Sequence, residues 1–429
     1  MYTIFKNKKQ MIFSKFNLHA RFEPIDENKQ RRHFDNAVEG LRGLAALWVC
    51  HSHIIQPLDP DYQPASIFGH FTVGREAVQI FFVLSGYVIG LTCTDKFSKN
   101  NAYSYLLKRI IRLFPMYLLS IFISYFLIYP ADSWQIVLGN IFFLQNLTVP
   151  VISNGALWSL NFEIIYYLVF LLIWKFRPKI AFVLISIVAI MALTWIFNPS
   201  STNIFSGYLV GWMFWMSGLF LAWRVPSNSV NIKVSLLSLL LVFLANKELR
   251  FGTNILDVLH ISNPGWGDTS FGDLTALPIC ILLFTVVASK RINITIYNFL
   301  YAFAVLMPVC IISYSIIKNR GFVRSDSFII AAIEIFLATL FYWLKCNPSV
   351  LNNLDFFGRT SYGIYIFHWP IFNLVRDHFP VSGSLWSYLL RYVSWAILTI
   401  SLSYLMDIKV QSKIRDWSKV NVFKRLSIN

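Results

Sequence analysis

The sequence predicts an all-α, polytopic membrane protein of about 10–12 transmembrane helices with both termini in the cytoplasm. Three observations predict it. Of 429 residues, 56% are hydrophobic and only 14% are charged, against about a quarter charged in a soluble globular chain; the mean hydropathy is +0.56. Apolar stretches of about 20 residues recur along the chain, the length that a bilayer core roughly 30 Å thick requires. The net charge of +16 is gathered into three basic clusters, which the positive-inside rule places in the cytoplasm.

In chain order, residues 1–36 read as a basic cytoplasmic arm, with Lys6, Lys8, Lys9, Lys15, Arg21, Lys29, Arg31 and Arg32. Residues 37–407 read as the membrane domain. Its spans lie near 37–56, 74–93, 113–129, 157–174, 179–198, 204–223, 232–246, 271–289, 297–317, 327–345, 361–378 and 386–407. The second basic cluster is the loop with Lys96, Lys99, Lys108, Arg109 and Arg112. The third is the tail, 408–429, with Lys409, Lys413, Arg415, Lys419, Lys424 and Arg425. Nucleic acid also attracts such charge, but apolar spans flank every cluster, so the lipid bilayer is the expected partner and nucleic acid is not. The first apolar stretch follows a long polar arm and has no small-residue cleavage site, so it is expected to insert uncleaved.

Three regions depart from the pattern. The segment "WQIVLGNIFFLQNLTVP" is apolar but broken by Gly139, Asn140, Gln145, Asn146 and Pro150, and is expected to be re-entrant or interfacial. The span 232–246 is short, and the loop "IKNRGFVRSD" between 297–317 and 327–345 is basic on the side assigned outside. Outer loops are expected at 57–73 and at 247–273; the second is rich in Gly, Asn and Asp, and Asp257, His260, Trp266 and Asp268 make it a candidate acceptor surface. Cys50, Cys93, Cys280, Cys310 and Cys346 lie in or beside spans without a CxxC pair, so buried thiols are expected rather than a disulfide framework.

Ionisable groups inside spans cost about 2.5–3.5 kcal/mol each at mid-span on insertion scales, so each one marks a functional hypothesis. The first set is in "EGLRGLAALWVCHSHIIQP". Arg42 and His53 are eleven residues apart, hence within about 20° of one another on a helix and about 16 Å apart along it. His51 points about 160° away from His53. Glu39, one turn before Arg42, is placed to pair with it. Either Arg42 snorkels to the headgroups while the histidines cap the outer end, or Arg42 and His53 share a polar face. That face would carry a cation at the cytoplasmic mouth and a proton-transfer group deeper in.

The second set is Arg109 and Arg112 in "YLLKRIIRLFPMY". Two guanidiniums one turn apart suit a phosphate clamp, and equally serve as a topology signal. The third is Glu163 in "GALWSLNFEIIYYLVFLLIW", about two turns inside its span among Trp158, Ser159, Asn161, Tyr166 and Tyr167. A carboxylate there must be protonated, paired or hydrated. Its depth matches that of His53, so a His–Glu pair across two helices is one expectation and a structural salt bridge or proton relay the other. The fourth is His368 in "GRTSYGIYIFHWPIF", on a polar-aromatic stripe with Tyr362, Tyr365 and Trp369. Its alternative is a structural histidine at a Pro370 kink.

Metal ligation finds little support, since no HxxxH or HExxH falls on one helix face and the carboxylates are sparse. No Walker A or dinucleotide fingerprint occurs. "FFVLSGYVIG" reads as small residues that let helices pack closely.

Taken together, "EGLRGLAALWVCHSH", "FFVLSGYVI", "KRIIRLFPMY", "LWSLNFEIIYYL" and "GRTSYGIYIFHWP" resemble, in that order and over roughly 38–407, the integral-membrane acyltransferase 3 family. This family includes bacterial O-acetyltransferases of lipopolysaccharide and exopolysaccharide. Its Arg-x10-His pattern falls on Arg42 and His53, and its Arg-x-x-Arg on Arg109 and Arg112. Its Trp-Ser-Leu-x-x-Glu falls on Trp158, Ser159 and Glu163, and its Tyr-x-x-His on Tyr365 and His368. Family members have about ten spans, against the twelve read above. Some carry a C-terminal hydrolase-like domain; here a short basic tail follows Asp407, so acceptor modification is expected at the membrane.

The resemblance implies transfer of an acyl group, most often acetyl, from acyl-CoA to a carbohydrate hydroxyl of a cell-surface glycan, in the inner membrane of a bacterium and without a metal. It implies that Arg109 and Arg112, with Arg42, meet the CoA phosphates. His53 would serve as base or transient acyl carrier, with Glu163 orienting or charge-balancing it. Trp158, Ser159, Tyr365 and His368 would support the substrate or the site. Two other readings share the same spans: a transporter of a small solute or glycan precursor, against which no inverted repeat is visible, and a non-catalytic scaffold or sensor on the same fold.

Overall fold

The computed structural model describes residues 36–54, 58–64, 72–127, 132–197, 203–226, 235–266, 269–290, 292–317, 326–344 and 348–423. The basic arm up to residue 35, the loop 318–325, Asp268, Cys346, Lys424 and Arg425 lie outside the described residues.

The chain forms a helical bundle. Its helices are α1 (Asn36–Ile54), α2 (Gly74–Thr92), α3 (Lys99–Leu127), α4 (Trp134–Ile141), α5 (Trp158–Phe176), α6 (Ile180–Phe197), α7 (Ile204–Arg224) and α8 (Leu236–Glu248). They continue as α9 (Phe251–Val258), α10 (Leu277–Val287), α11 (Ile294–Ile317), α12 (Asp326–Leu340), α13 (Asp355–Arg359), α14 (Ser361–His378) and α15 (Leu385–Tyr404). A two-residue hairpin, β1 (Gly265–Trp266) with β2 (Thr269–Ser270), sits in the 247–273 loop.

Each of the twelve expected spans is occupied by a helix. Among the described residues, eight helices are long and apolar enough to cross a membrane, which makes this a multi-pass membrane protein. The other four depart for physical reasons. α8 and α10 are short, at 13 and 11 residues. α1 and α14 have the length, but they carry Glu39, Arg42, His51 and His53 in one case and His368, Arg376, Asp377 and His378 in the other. Both are largely buried by other helices rather than turned outward. After Tyr404 the last helix runs on through a π-helical stretch, Leu405–Val410, an α-helical segment, Gln411–Ser418, and a second π-helical stretch, Lys419–Phe423.

The tightest contact in the bundle is between α2 and α7. A Cβ on Gly86 would lie 1.9 Å from the Trp215 carbonyl oxygen, and one on Gly218 would lie 1.9 Å from that of Val83. The small residues of "FFVLSGYVIG" thus bring two backbones together, as expected of helix pairs in lipid. α1 packs against α2, α14 and the 348–359 segment, whereas α5 packs against α2 and α7.

Of the three prolines in the interior of described helices, Pro115, Pro308 and Pro370, two leave carbonyls that find another donor. Pro370 frees the Ile366 oxygen, which accepts from Ser120 Oγ at 2.9 Å and Asn154 Nδ2 at 3.0 Å. Pro115 frees the Ile111 oxygen, which accepts from Gln411 Nε2 at 2.8 Å. A bare carbonyl in this setting would cost about 1–3 kcal/mol. Asn154 lies just past the broken apolar segment and ties its far end to α14. α4 leads into a loop whose Gln145 donates to Tyr117 Oη at 3.1 Å and to the Leu157 carbonyl at 3.2 Å. Asp132 and the Ser153 amide tie the two ends of the segment together at 2.8 Å. Cys50, Cys93 and Cys280 are buried as expected, but Cys310 is exposed, because its face of α11 is not covered by another helix.

At the opposite end of the bundle from Asp407, the carboxylate of Asp59 is fully buried. It accepts from the amides of Asp61 at 3.1 Å and Gly383 at 3.1 Å and from Ser387 Oγ at 2.5 Å, with Arg391 Nε 3.9 Å away. Burial alone would raise its pKa, but these hydrogen bonds and the Arg391 charge hold it below the ordinary carboxylate value. Arg391 in turn donates to the carbonyls of Leu58, Val375, Arg376, Phe379 and Val381, closing the loop between α14 and α15 over the bundle.

Candidate active site

Five helices converge on one pocket of about 760 Å³, its open mouth included. α1 brings Arg42, α3 brings Arg109 and Arg112, α5 brings Ser159 and Glu163, and α14 brings Tyr365. α2 forms the wall between them, with Val78, Phe81, Ser85 and Val88.

Each charged side chain is held in its own way. Arg42 Nη1 donates to both oxygens of Glu39, at 2.8 and 3.1 Å, so the expected i, i+3 pair forms. It also lies within electrostatic reach of Arg112 and Glu163. Arg109 donates to Thr92 Oγ1 at 3.3 Å and sits over the rings of Tyr105 and Tyr167, 5.7 and 5.6 Å from their centroids. Its buried Nε has no partner among the described residues. Arg112 is exposed. One oxygen of Glu163, Oε1, accepts from Ser85 Oγ at 3.0 Å and from Tyr167 Oη. Ser85 is itself fixed by Trp215 Nε1–H at 3.3 Å. The pocket is therefore cationic at one end, with a carboxylate midway whose Oε1 is clamped by two hydroxyls.

His53 and His368 stand together beyond the pocket. His53 Nδ1 and His368 Nε2 are 2.8 Å apart. The other nitrogen of His368, Nδ1, faces the carbonyls of Ile364 and Tyr365 at 3.1 and 2.8 Å. Carbonyls only accept, so Nδ1 carries the proton. In the neutral dyad His368 Nε2 is then bare and accepts from His53 Nδ1–H, which leaves His53 Nε2 without a proton and without a partner among the described residues. Trp369 packs its ring at 76° to that of His53, and Trp395 Nε1 donates to the His368 carbonyl at 3.0 Å. The arrangement presents one unprotonated imidazole nitrogen on a rigid support.

The expected His53–Glu163 pair does not form. Glu163 is engaged by Ser85 and Tyr167, and His53 by His368. The reason is the order of the helices: α2 packs against both α1 and α5, and the neighbour α1 meets at the depth of His53 is α14. His368 is thus the direct partner of His53 rather than a remote supporting group. Trp158 is buried edge-on against Phe162 and does not line the pocket. Ser159 does, through a 2.7 Å hydrogen bond to Tyr365 Oη. Asp257 and His260 are exposed, and no described residue of the 247–273 loop lines the pocket.

Three contributors escaped the sequence. Ser85 and Trp215 lie in runs whose small residues and aromatics read as packing. Asp407 accepts from the Gly363 amide at 2.7 Å and lies within electrostatic reach of Arg112 and Arg42. The available signal was a lone carboxylate closing an apolar run. The nearby hydroxyl of Tyr167 was legible, one turn after Glu163. Among the described residues no group of three or more His, Cys, Asp or Glu side chains could hold a metal ion.

A family model described as an acyltransferase domain matches residues 35–408. The chain is 31% identical to Acyltransferase MdmB of Streptomyces mycarofaciens over 158 residues, 34% of this chain and 40% of that one. It is 22% identical to Peptidoglycan O-acetyltransferase OatA of Listeria monocytogenes over 427 residues, 92% of this chain and 58% of that one. The chain thus spans less than two thirds of the length of these curated relatives. No solved structure matches it.

Proposed function

The chain belongs to the acyltransferase 3 family, and on that premise we propose that it moves an acyl group, acetyl first, from acyl-CoA to a carbohydrate hydroxyl of a cell-surface glycan. The observation that carries the reading is the convergence of Arg42, Arg109, Arg112 and Glu163 on one pocket, with a bare imidazole nitrogen just beyond it. The name of the Listeria relative, a peptidoglycan O-acetyltransferase, supports a glycan acceptor and an acetyl group. The proposed place of work is the inner membrane of a bacterium.

In this reading the phosphates of CoA lie at the three arginines, which suit phosphate through paired, charge-assisted hydrogen bonds. The acceptor hydroxyl meets His53. Its oxygen attacks the thioester carbon, its proton passes to His53 Nε2, and the carbon–sulfur bond breaks. The same proton then goes to the leaving thiolate, which restores the neutral dyad and releases CoA with a free thiol. His368 holds the imidazole in the tautomer that this requires. Glu163 balances the arginine charge within the pocket.

The test is release of CoA thiol by the purified full chain, with acetyl-CoA and a panel of glycan fragments, beside a second activated donor, acetyl phosphate. Acetyl transfer from acetyl-CoA that is lost in His53→Ala supports the reading. Consumption of acetyl phosphate alone, or of neither donor with any acceptor, defeats it.

A further inference from the structure

Along α2 the pocket has two unlike ends. Arg109 is anchored on Thr92, and Phe81 lies eleven residues earlier, about 16 Å away on a helix. The Phe81 end is apolar, lined also by Val78, Leu160 and Tyr365. Phe81 meets the Tyr365 ring with centroids 5.7 Å apart at 71°, and Ser159 pins the Tyr365 hydroxyl at 2.7 Å. Neither His368 nor His53 is among the residues that line the pocket. His368 follows Tyr365 by three residues, about 4.5 Å of helix rise.

A donor with its phosphates at the arginines enters this pocket acyl end first. The acceptor hydroxyl meets His53 beside this end, so the reacting carbonyl has to reach the Phe81–Tyr365 contact, and whatever tail the acyl group has must fit against it. With acetyl, the carbonyl stands one carbon from that contact. Each added methylene holds it further back, and the phenyl ring of Phe81 fills the space into which a tail would fold aside.

We propose that Phe81, closed against Tyr365, is the residue that restricts the donor to short acyl groups. The inference rests on the acyl-CoA reading above and names the acyl class for the same site.

The experiment compares acetyl-, butyryl-, hexanoyl- and octanoyl-CoA with the purified full chain, wild type and Phe81→Ala, reading thiol release for each. Binding of CoA itself to the wild type is measured in parallel. A methylene at a fitted apolar wall discriminates by about 10–200-fold, so the wild type is expected to favour acetyl over butyryl by about 100-fold or more. Phe81→Ala is expected to shrink that ratio to below about 10-fold. Phe81→Leu, which keeps apolar bulk, guards against misfolding of the alanine variant and should fall between the two. A wild type that uses octanoyl-CoA as readily as acetyl-CoA overturns the proposal, as does a folded Phe81 variant with an unchanged acetyl-to-butyryl ratio. Failure of the wild type to bind CoA at all overturns the donor reading and this inference with it, and so is told apart from failure of Phe81 alone.

Discussion

His53 and His368 share a single hydrogen bond, Nδ1 to Nε2 at 2.8 Å, with their rings 5.1 Å apart and 8° from parallel. The bond has a direction, because the backbone carbonyls beneath His368 accept its one ring N–H, at Nδ1. His53→Ala should therefore reduce transfer by about 10²–10⁴-fold, the range for loss of a general base. His368→Gln keeps an oxygen that accepts from His53 Nδ1, and His368→Phe does not. The phenylalanine leaves a buried N–H without a partner, at about 1–3 kcal/mol of stability. Glutamine should retain clearly more activity and a higher thermal midpoint than phenylalanine. Equal losses in both would show that His368 does not orient His53.

Ser85 links α7 to Glu163, receiving from Trp215 and donating to the carboxylate. Ser85→Ala removes a hydrogen bond to a group that carries charge, worth about 1.5–3 kcal/mol. A fall in kcat of about tenfold or more is expected, with the KM for donor little changed. The loss should not add to that of Glu163→Gln, since both act on one contact. A double variant whose effects add in full would place Ser85 outside the Glu163 pathway.

Arg112 lines the pocket, and Asp407 lies within its electrostatic reach. Arg112→Ala removes a cation that an anionic donor would meet, and should raise the KM for acyl-CoA by about tenfold, or about 1.4 kcal/mol. Asp407→Asn removes a carboxylate that competes with phosphate for the same arginines, and should lower that KM severalfold. Salt should weaken both effects, because Arg112 is exposed to solvent. An Asp407→Asn enzyme that binds the donor less tightly would contradict the electrostatic account.

The arginines and Glu163 were legible because ionised groups within apolar spans are expensive, so their presence alone marks a site. Helical periodicity put Arg42 and His53 on one face, and Glu39 within reach of Arg42. What periodicity cannot supply is which helices are neighbours. Glu163 and His53 are at similar depths in their own spans, yet α2 packs against both helices and His368 reaches His53 first. Ser85 was hidden for a different reason. It precedes Gly86, whose close approach to Trp215 is a real packing feature, and the packing explanation was complete without a role for the hydroxyl. The prolines show the limit again: Pro115 and Pro370 foretell unpaired carbonyls, but Gln411, Ser120 and Asn154 as their donors follow only from the fold.

Asp59 gives a prediction for stability, independent of the chemistry. Its folded pKa is held below the ordinary carboxylate value, with burial opposed by hydrogen bonds from Ser387, Gly383 and Asp61 and by the Arg391 charge. A depressed folded pKa means that the unfolded chain takes up the proton first as the pH falls. The contribution is thus complete above the unfolded value, about pH 4, and is lost as the pH drops through the lower folded value. The wild type in detergent should show a thermal midpoint with no Asp59 dependence between pH 5 and 7 (~25 °C reference values) and a decline below about pH 4. Asp59→Asn leaves Arg391 buried without its counter-charge and should cost about 3 kcal/mol at neutral pH. It should also flatten the acid decline, because the titrating group is gone. Parallel pH profiles for the two proteins would show that the acid sensitivity arises elsewhere, and an unaltered midpoint at neutral pH would show that the backbone carbonyls around Arg391 suffice to hold it.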